Sequence, residues 1–281
     1  MKLFIVILLV VAAILANPAL AAAEPAPLRV GLTETVSDQY QLTEEWRRYM
    51  EHKLKRRVEF IRRDSYIEVM DMLRLKKLDF AWICDYPFVY FRSQVRLLAV
   101  PLYHGRPYYR AYLIVPATDL RTTSIAQLRN TVFAYTDPYS NTGYLTPRYQ
   151  LYRMGEKPAQ FFRQTFFTWS HRKTVEAVAI GLADGAAVSS HVWDTLAIVK
   201  PELTAATRIV SRSPEYGFSP IVAQPSVRDE DFRNMQKLLL EMVTDAEGKA
   251  LLRGLNIDGF IAGSPHLYDE VARMMKAVGE K

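Results

Sequence analysis

The stretch Asp137-Pro138-Tyr139-Ser140-Asn141-Thr142-Gly143-Tyr144 decides how this chain is read. It joins a strand expected over Val132 to Thr136 to a helix expected from about Gly143 to Met154. Two hydroxyls, one side-chain amide and several backbone N–H groups converge where that helix begins. The first turn of a helix carries unpaired donors and the positive end of the macrodipole, so the junction suits an anion of the phosphate type. Ser140, Asn141 or Thr142 also makes an ordinary N-cap, and the stretch alone leaves both readings open.

Working outward, short apolar runs alternate with helical patterns on both sides of this junction. Strands are expected at Leu28 to Leu32, Val58 to Ile61 and Phe80 to Cys84, with helices at Leu42 to Leu54 and Tyr66 to Leu75 between them. This βαβαβ order predicts a parallel sheet with helices on its faces. Leu97 to Leu102 and Tyr109 to Val115 add two strands before Pro116-Ala117-Thr118-Asp119 interrupts the pattern. A second α/β unit follows. It comprises a short helix at Ile125 to Arg129, strands at Val132 to Thr136, Gln164 to Thr168, Gly185 to Ser189 and Arg208 to Ser211, and helices at Lys173 to Leu182 and Val192 to Val199. Ser213-Pro214-Glu215-Tyr216-Gly217 marks a return, after which the strand Phe218 to Ala223 and the helices Phe232 to Thr244 and Leu267 to Val278 rejoin the first unit.

Met1-Lys2, the apolar run Leu3 to Leu15 and the small-residue tract Ala19 to Ala23 have the form of a secretory signal peptide over residues 1–23. An uncleaved N-terminal anchor is the other reading of the same run. No Cys adjoins the cleavage site, which argues against a lipoprotein anchor, and no later segment is long and apolar enough to span a bilayer. The expected location is therefore the periplasm. Cys84 is the sole cysteine, so no intramolecular disulfide forms; its place in an apolar strand marks it as a core residue rather than a nucleophile. The formal net charge of +6 favours anionic partners. The basic clusters at Arg47-Arg48, Lys53 to Arg57 and Arg62-Arg63 read as a solvated face, and no nucleic-acid motif accompanies them.

Four segments together resemble the periplasmic phosphate-, phosphite- and phosphonate-binding proteins of ABC transporters. They are Ser65-Tyr66 before Leu78-Asp79-Phe80-Ala81-Trp82; Asp137 through Pro147; Ser170-His171-Arg172-Lys173-Thr174-Val175; and Ala183-Asp184-Gly185-Ala186-Ala187-Val188-Ser189-Ser190-His191-Val192-Trp193. The resemblance implies an α/β, type II-like clamshell of two lobes, each a mixed sheet flanked by helices. Residues 28–115 and 217–281 form the expected lobe 1, and residues 116–216 lobe 2.

The same resemblance implies a ligand site. Ser140, Asn141, Thr142 and Gly143 stand where the family carries a Ser-Thr-Ser-Gly run that grips an oxyanion, so Asn141 puts an amide where a hydroxyl is usual. His171 matches a histidine that donates to the same oxyanion, and Tyr66 matches a first-lobe tyrosine. Phe88 takes the place of a second aromatic that is often a tyrosine, which keeps packing but removes a donor. Ser189 stands where many relatives carry an aspartate, which points to a ligand without an amine; it also reads simply as a strand end. Arg106, Arg110 and Lys173 are read as solvated or as holding lobe surfaces.

The implied function is capture of phosphate, phosphite or a phosphonate and delivery to a membrane ABC permease, by a monomer. The alternative is a periplasmic ligand sensor that engages a receptor or histidine kinase. Neither needs a cofactor, a metal or a catalytic residue. The chain lacks a Gly-x-Ser-x-Gly elbow, a His-Glu-x-x-His helix, a Walker loop and a dinucleotide fingerprint, and its five histidines have no metal-ligand spacing.

Overall fold

Leu28, Val30 and Leu32 alternate with Arg29 and Gly31, and this run starts the first of two sheets. The computed structural model describes residues 26–33 and 40–280; the expected signal peptide at 1–23 lies outside them. The first sheet takes β1 (Leu28–Thr33), β2 (Val58–Arg63), β3 (Phe80–Trp82) and β4 (Arg96–Leu102). The second takes β6 (Ala111–Pro116), β7 (Val132–Tyr135), β8 (Gln164–Phe167), β9 (Gly185–Ser189) and β10 (Thr207–Arg212). Between them, β5 (Tyr108–Tyr109) pairs with β11 (Tyr216–Gly217), after which β12 (Ile221–Ala223) and β13 (Gly259–Ile261) complete the first sheet.

Strand order is β13-β4-β12-β3-β1-β2 in the six-stranded sheet and β10-β6-β9-β7-β8 in the five-stranded one. β1 runs parallel to β2 and β3, and β7 parallel to β8 and β9. β12 runs antiparallel to β3 and β4, and β6 antiparallel to β9 and β10. Both sheets are therefore mixed. The two parallel sections place their carboxyl ends at the gap between the lobes, where open α/β sheets hold ligands.

The boundary expected after residue 115 is displaced. The run Tyr109 to Val115 is not one strand of lobe 1: β5 ends at Tyr109, and from Ala111 the chain pairs with Ser189 to Ala186 of β9 in the other sheet. Arg110 is the crossing residue. Its backbone carbonyl accepts from Ser190 N–H, and its guanidinium binds Ser213 O (2.6 Å) and Glu215 (3.1 Å) on the returning segment. Arg110 is the one charged residue in this stretch and stands at the crossing, but only tertiary pairing shows which sheet receives each half.

The helix expected over Gly143 to Met154 is also divided. Asn141–Leu145 is a π-helical turn, and an α-helix occupies Thr146–Arg153. Leu145 N–H donates to Ser140 O (3.0 Å), and Thr146 N–H reaches Asn141 O, so both bonds span five residues. Pro147 has no N–H to continue that ladder and is preorganised for the first turn of the following helix. Helices at Asp85–Tyr90, Pro201–Ala205 and Ala246–Gly254, together with β13, add to the expected elements.

One large apolar cluster fills lobe 1, from Leu28 and Trp46 through Phe88 to Met275. Lobe 2 has two smaller clusters, one containing Val175, Val178 and Leu196, the other Phe133, Leu151 and Phe161. Leu145 belongs to the lobe 1 cluster although its chain segment leaves from a lobe 2 strand. The π-helical turn is thus wedged between the lobes.

Candidate functional site

A cavity of about 30 Å³ lies between the lobes. Lobe 1 contributes Thr33 at the end of β1, Tyr66 at the start of the helix Tyr66–Arg74, and Trp82, Ile83 and Cys84 after β3. Lobe 2 contributes His171, Ser189 and His191, while Tyr109, Phe218 and Ser219 come from the crossing segments. A recess of about 10 Å³ shares Thr33, Tyr66 and His171 and adds Asp64, Thr136, Trp169 and Ser170. Trp169, exposed at this edge, has φ 62°, and its N–H donates to Thr136 O at 2.7 Å. A left-handed backbone at a bulky residue stores strain that the surrounding fold must hold.

Beside the cavity, Ser140 caps the π-helical turn by accepting from Gly143 N–H at 3.0 Å. Gly143 is needed there on steric grounds. A Cβ at this position would meet Thr136 Oγ1 at 2.1 Å and Thr136 Cβ at 2.5 Å. Thr142 is fully buried and its Oγ1 has no hydrogen-bond partner. A buried hydroxyl without a partner carries its full desolvation cost, so its presence at a helix start calls for an acceptor.

His171 opens the helix His171–Ala179, which Ser170 caps by accepting from Lys173 N–H. Its Nδ1 accepts the backbone N–H of Ser189 at 3.2 Å, so the ring proton sits on Nε2, which faces Ser140 Oγ at 3.4 Å. Burial pushes its pKa down to about 3, with the nearby His191 adding to the shift. The ring is therefore a neutral donor at neutral pH. His191 is also buried, and Nε2 faces Leu255 O at 2.9 Å, a bond between the lobes.

A carboxylate absent from the sequence-based site stands behind the turn. Asp85 is fully buried, and its Oδ1 accepts from Tyr109 OH (2.8 Å), Cys84 Sγ–H (3.0 Å) and Tyr86 N–H (3.1 Å). Its Oδ2 accepts from Asn141 Nδ2 at 2.7 Å. Burial pushes its pKa up to about 6, while the donors pull the other way. Asp137, also buried, accepts from Tyr139 N–H at 2.6 Å and from Tyr66 N–H at 3.1 Å across the lobes.

Of the residues expected from sequence, Tyr66, His171 and Ser189 line the cavity. Ser140 lies one hydrogen bond behind His171, with Gly143 and Thr142 beyond it in the same turn. Asn141, expected to present its amide to a ligand, directs it to Asp85 and accepts from Thr146 Oγ1. Phe88, expected to cover the ligand, lines neither cavity. It packs on Tyr268 with centroids 4.6 Å apart inside the lobe 1 core, because the helix Asp85–Tyr90 turns that face inward. Cys84 is a buried thiol whose pKa is raised by burial, as its apolar setting implied. Trp82, Tyr109, His191 and Phe218 were not singled out as ligand residues. Trp82 and His191 lie within segments that carry the family resemblance but were not read as ligand residues, and Tyr109 and Phe218 come to the cavity on the segments that cross between the lobes. Among the described residues, no group of three or more His, Cys, Asp or Glu could hold a metal ion.

Over residues 30–268 the chain matches the family of periplasmic substrate-binding proteins of phosphonate ABC transporters. It is 26% identical over 260 residues to the phosphonates-binding periplasmic protein of Escherichia coli K12, covering 89% of this chain and 76% of that one. Its fold is similar to the binding component of an ABC phosphonate transporter from Pseudomonas aeruginosa. That comparison has a TM-score of 0.81 at 23% identity, over 89% of this chain and 86% of the other. A Prochlorococcus marinus protein solved with methylphosphonate gives 0.80 at 21% identity, over 90% and 98%.

Proposed function

Because the chain belongs to the periplasmic substrate-binding proteins of phosphonate ABC transporters, we propose that its lobes close on one small phosphorus oxyanion and present the closed form to an ABC permease. The observation that carries this reading is the unpartnered, fully buried Thr142 hydroxyl in the turn whose Ser140 faces His171 on the cavity wall. These donors are neutral. Neutral donors bind an oxyanion through directed hydrogen bonds, each contributing about 1.5 to 3 kcal/mol to a charged acceptor.

The division of labour follows from the two walls. Lobe 2 supplies His171 and Ser189, with Ser140 and Thr142 behind them, while lobe 1 supplies Tyr66 and Trp82, which exclude water. The chain would move about the paired β5 and β11, making residues 111–212 the mobile partner of the rest. Among the described residues no Asp or Glu lines the 30 Å³ cavity, which suits a ligand without an ammonium group. The protein acts as a monomer in the periplasm, binds without a chemical step and needs no cofactor.

Calorimetric titration with methylphosphonate, phosphite, phosphate and 2-aminoethylphosphonate tests the reading. At least one amine-free phosphorus oxyanion is expected to bind at micromolar concentration or below, and the amine to bind poorly. Failure of all four to release heat or shift the melting temperature would remove it.

A further inference from the structure

An anion site normally sits among positive groups, yet this one is backed by acids. Among the described residues no Lys or Arg lines the cavity, and two buried carboxylates flank the π-helical turn. Asp85 reaches the cavity wall through Tyr109 OH and adjoins Cys84, both lining residues. Asp137 reaches it through the backbone N–H of Tyr66, another lining residue. The four groups bonded to Asp85 all donate to it in this arrangement, which fits the ionised form.

The surrounding titratable groups supply no compensating charge. Cys84, Tyr109, Tyr216 and Tyr268 all have their pKa raised by burial and stay neutral, and His171 and His191 have theirs lowered by burial. Tyr139 and Glu68 are the groups that act on Asp137 from its own lobe and from lobe 1. A second negative charge on the ligand would therefore face Asp85 in a medium of low dielectric without a cation to offset it.

We infer that Asp85 is a specificity-determining residue whose buried charge restricts this cleft to singly charged tetrahedral oxyanions, whether the central atom is phosphorus or sulfur. The inference rests on the oxyanion reading above and adds to it the charge state of the ligand. Asp85 acts through the field and through Tyr109 rather than by touching the ligand.

Asp85→Asn isolates that charge because the hydrogen bonds survive it. The amide oxygen takes the three Oδ1 donors, and the amide nitrogen replaces Oδ2. Asn141 then turns its own amide over, accepting from residue 85 and donating to Thr146 Oγ1, which lies 3.3 Å from its present oxygen. The probes are methanesulfonate and methylphosphonate, which share one shape, at a single alkaline pH where the first carries one negative charge and the second two. Wild type is expected to bind methanesulfonate roughly tenfold or more tightly than the doubly charged methylphosphonate. Asp85→Asn is expected to narrow that ratio at least several-fold, chiefly by tightening methylphosphonate. A wild-type protein that binds the dianion equally or better overturns the inference, as does a folded Asp85→Asn protein with the ratio unchanged. Should the variant fail to fold, the wild-type ratio decides alone. Absence of binding by either probe at acid as well as alkaline pH would sink the oxyanion reading and this inference with it.

Discussion

Lobe 1 and lobe 2 meet at the same cavity but are built differently. Lobe 1 has six strands around one continuous apolar cluster, and what it turns to the cavity is mostly aromatic or apolar: Tyr66, Trp82, Ile83 and, from the return, Phe218. Lobe 2 has five strands with a separate small cluster on each face, and it concentrates hydroxyls and imidazoles at its strand ends: Thr136, Ser140, Thr174, His171 and Ser189. A large core can lend an apolar wall cheaply, whereas buried donors are tolerated only where each has a partner or a ligand. The difference assigns shape to one lobe and recognition to the other.

Phe88→Ala tests the lobe 1 side with the largest effect. Removing a fully packed ring against Tyr268 should cost about 3–5 kcal/mol of stability. The Phe88 ring is packed inside the lobe 1 core and offers no hydrogen-bonding group, so methylphosphonate affinity, measured below the melting transition, should barely change. A large loss of affinity in a folded variant would return Phe88 to the site.

Thr142→Val should separate the lobes by sign. The hydroxyl has no partner in the protein, so denaturant unfolding should show stability unchanged or raised, while titration should show binding weakened by about 1.5 to 3 kcal/mol. Stability and affinity falling together would make Thr142 an ordinary structural residue. Ser189→Asp should weaken a bare phosphonate and strengthen 2-aminoethylphosphonate, each by about 1–3 kcal/mol, as read by paired titrations. An unchanged preference would place Ser189 away from the ligand's distal end.

The remaining prediction is a slope with pH. His171 has a folded-state pKa of about 3, below the ordinary 6.5, so the stability associated with its neutral form is present above pH 6.5 and drains away as pH falls toward 3. Asp85 has the opposite sign, because its pKa rises from 3.8 to about 6: its ionisation erodes stability as pH rises through that window. His171→Gln should therefore flatten the acid side of the stability profile, and Asp85→Asn the rise of cost toward neutrality. Parallel profiles for wild type and both variants would show that neither group's pKa differs between the folded and unfolded protein.

Much of this architecture was legible because local pattern and tertiary structure agree. The alternation at Leu28, Val30 and Leu32, the helix opened at Ser65-Tyr66 and the turn at Ser140 specify a strand and helix starts from neighbours in sequence alone. They also imply a place for an anion, since a helix start with hydroxyls beside it has donors whatever the rest of the chain does. Tyr66, His171 and Ser189 stand at the beginning of a helix or the end of a strand, and only the family resemblance singled them out from the packing and capping roles those places also suit.

What the local pattern left undecided was where each element points. Tyr109 and Ala111 flank Arg110 in a stretch that reads as one strand, yet pairing with β11 and then β9 sends them to different sheets. Asn141 reads as a ligand donor until Asp85, 56 residues earlier in the chain, takes its amide. Phe88 reads as a lid until Tyr268 claims its ring. In each case the competing partner is distant in sequence, and the choice is made by burial, which satisfies polar groups and packs rings only after both lobes have folded and met. The sequence by itself therefore determined most of the elements and their order and pointed to an anion at the Ser140 turn; tertiary structure alone decided which donors face the cavity and which carboxylate stands behind them.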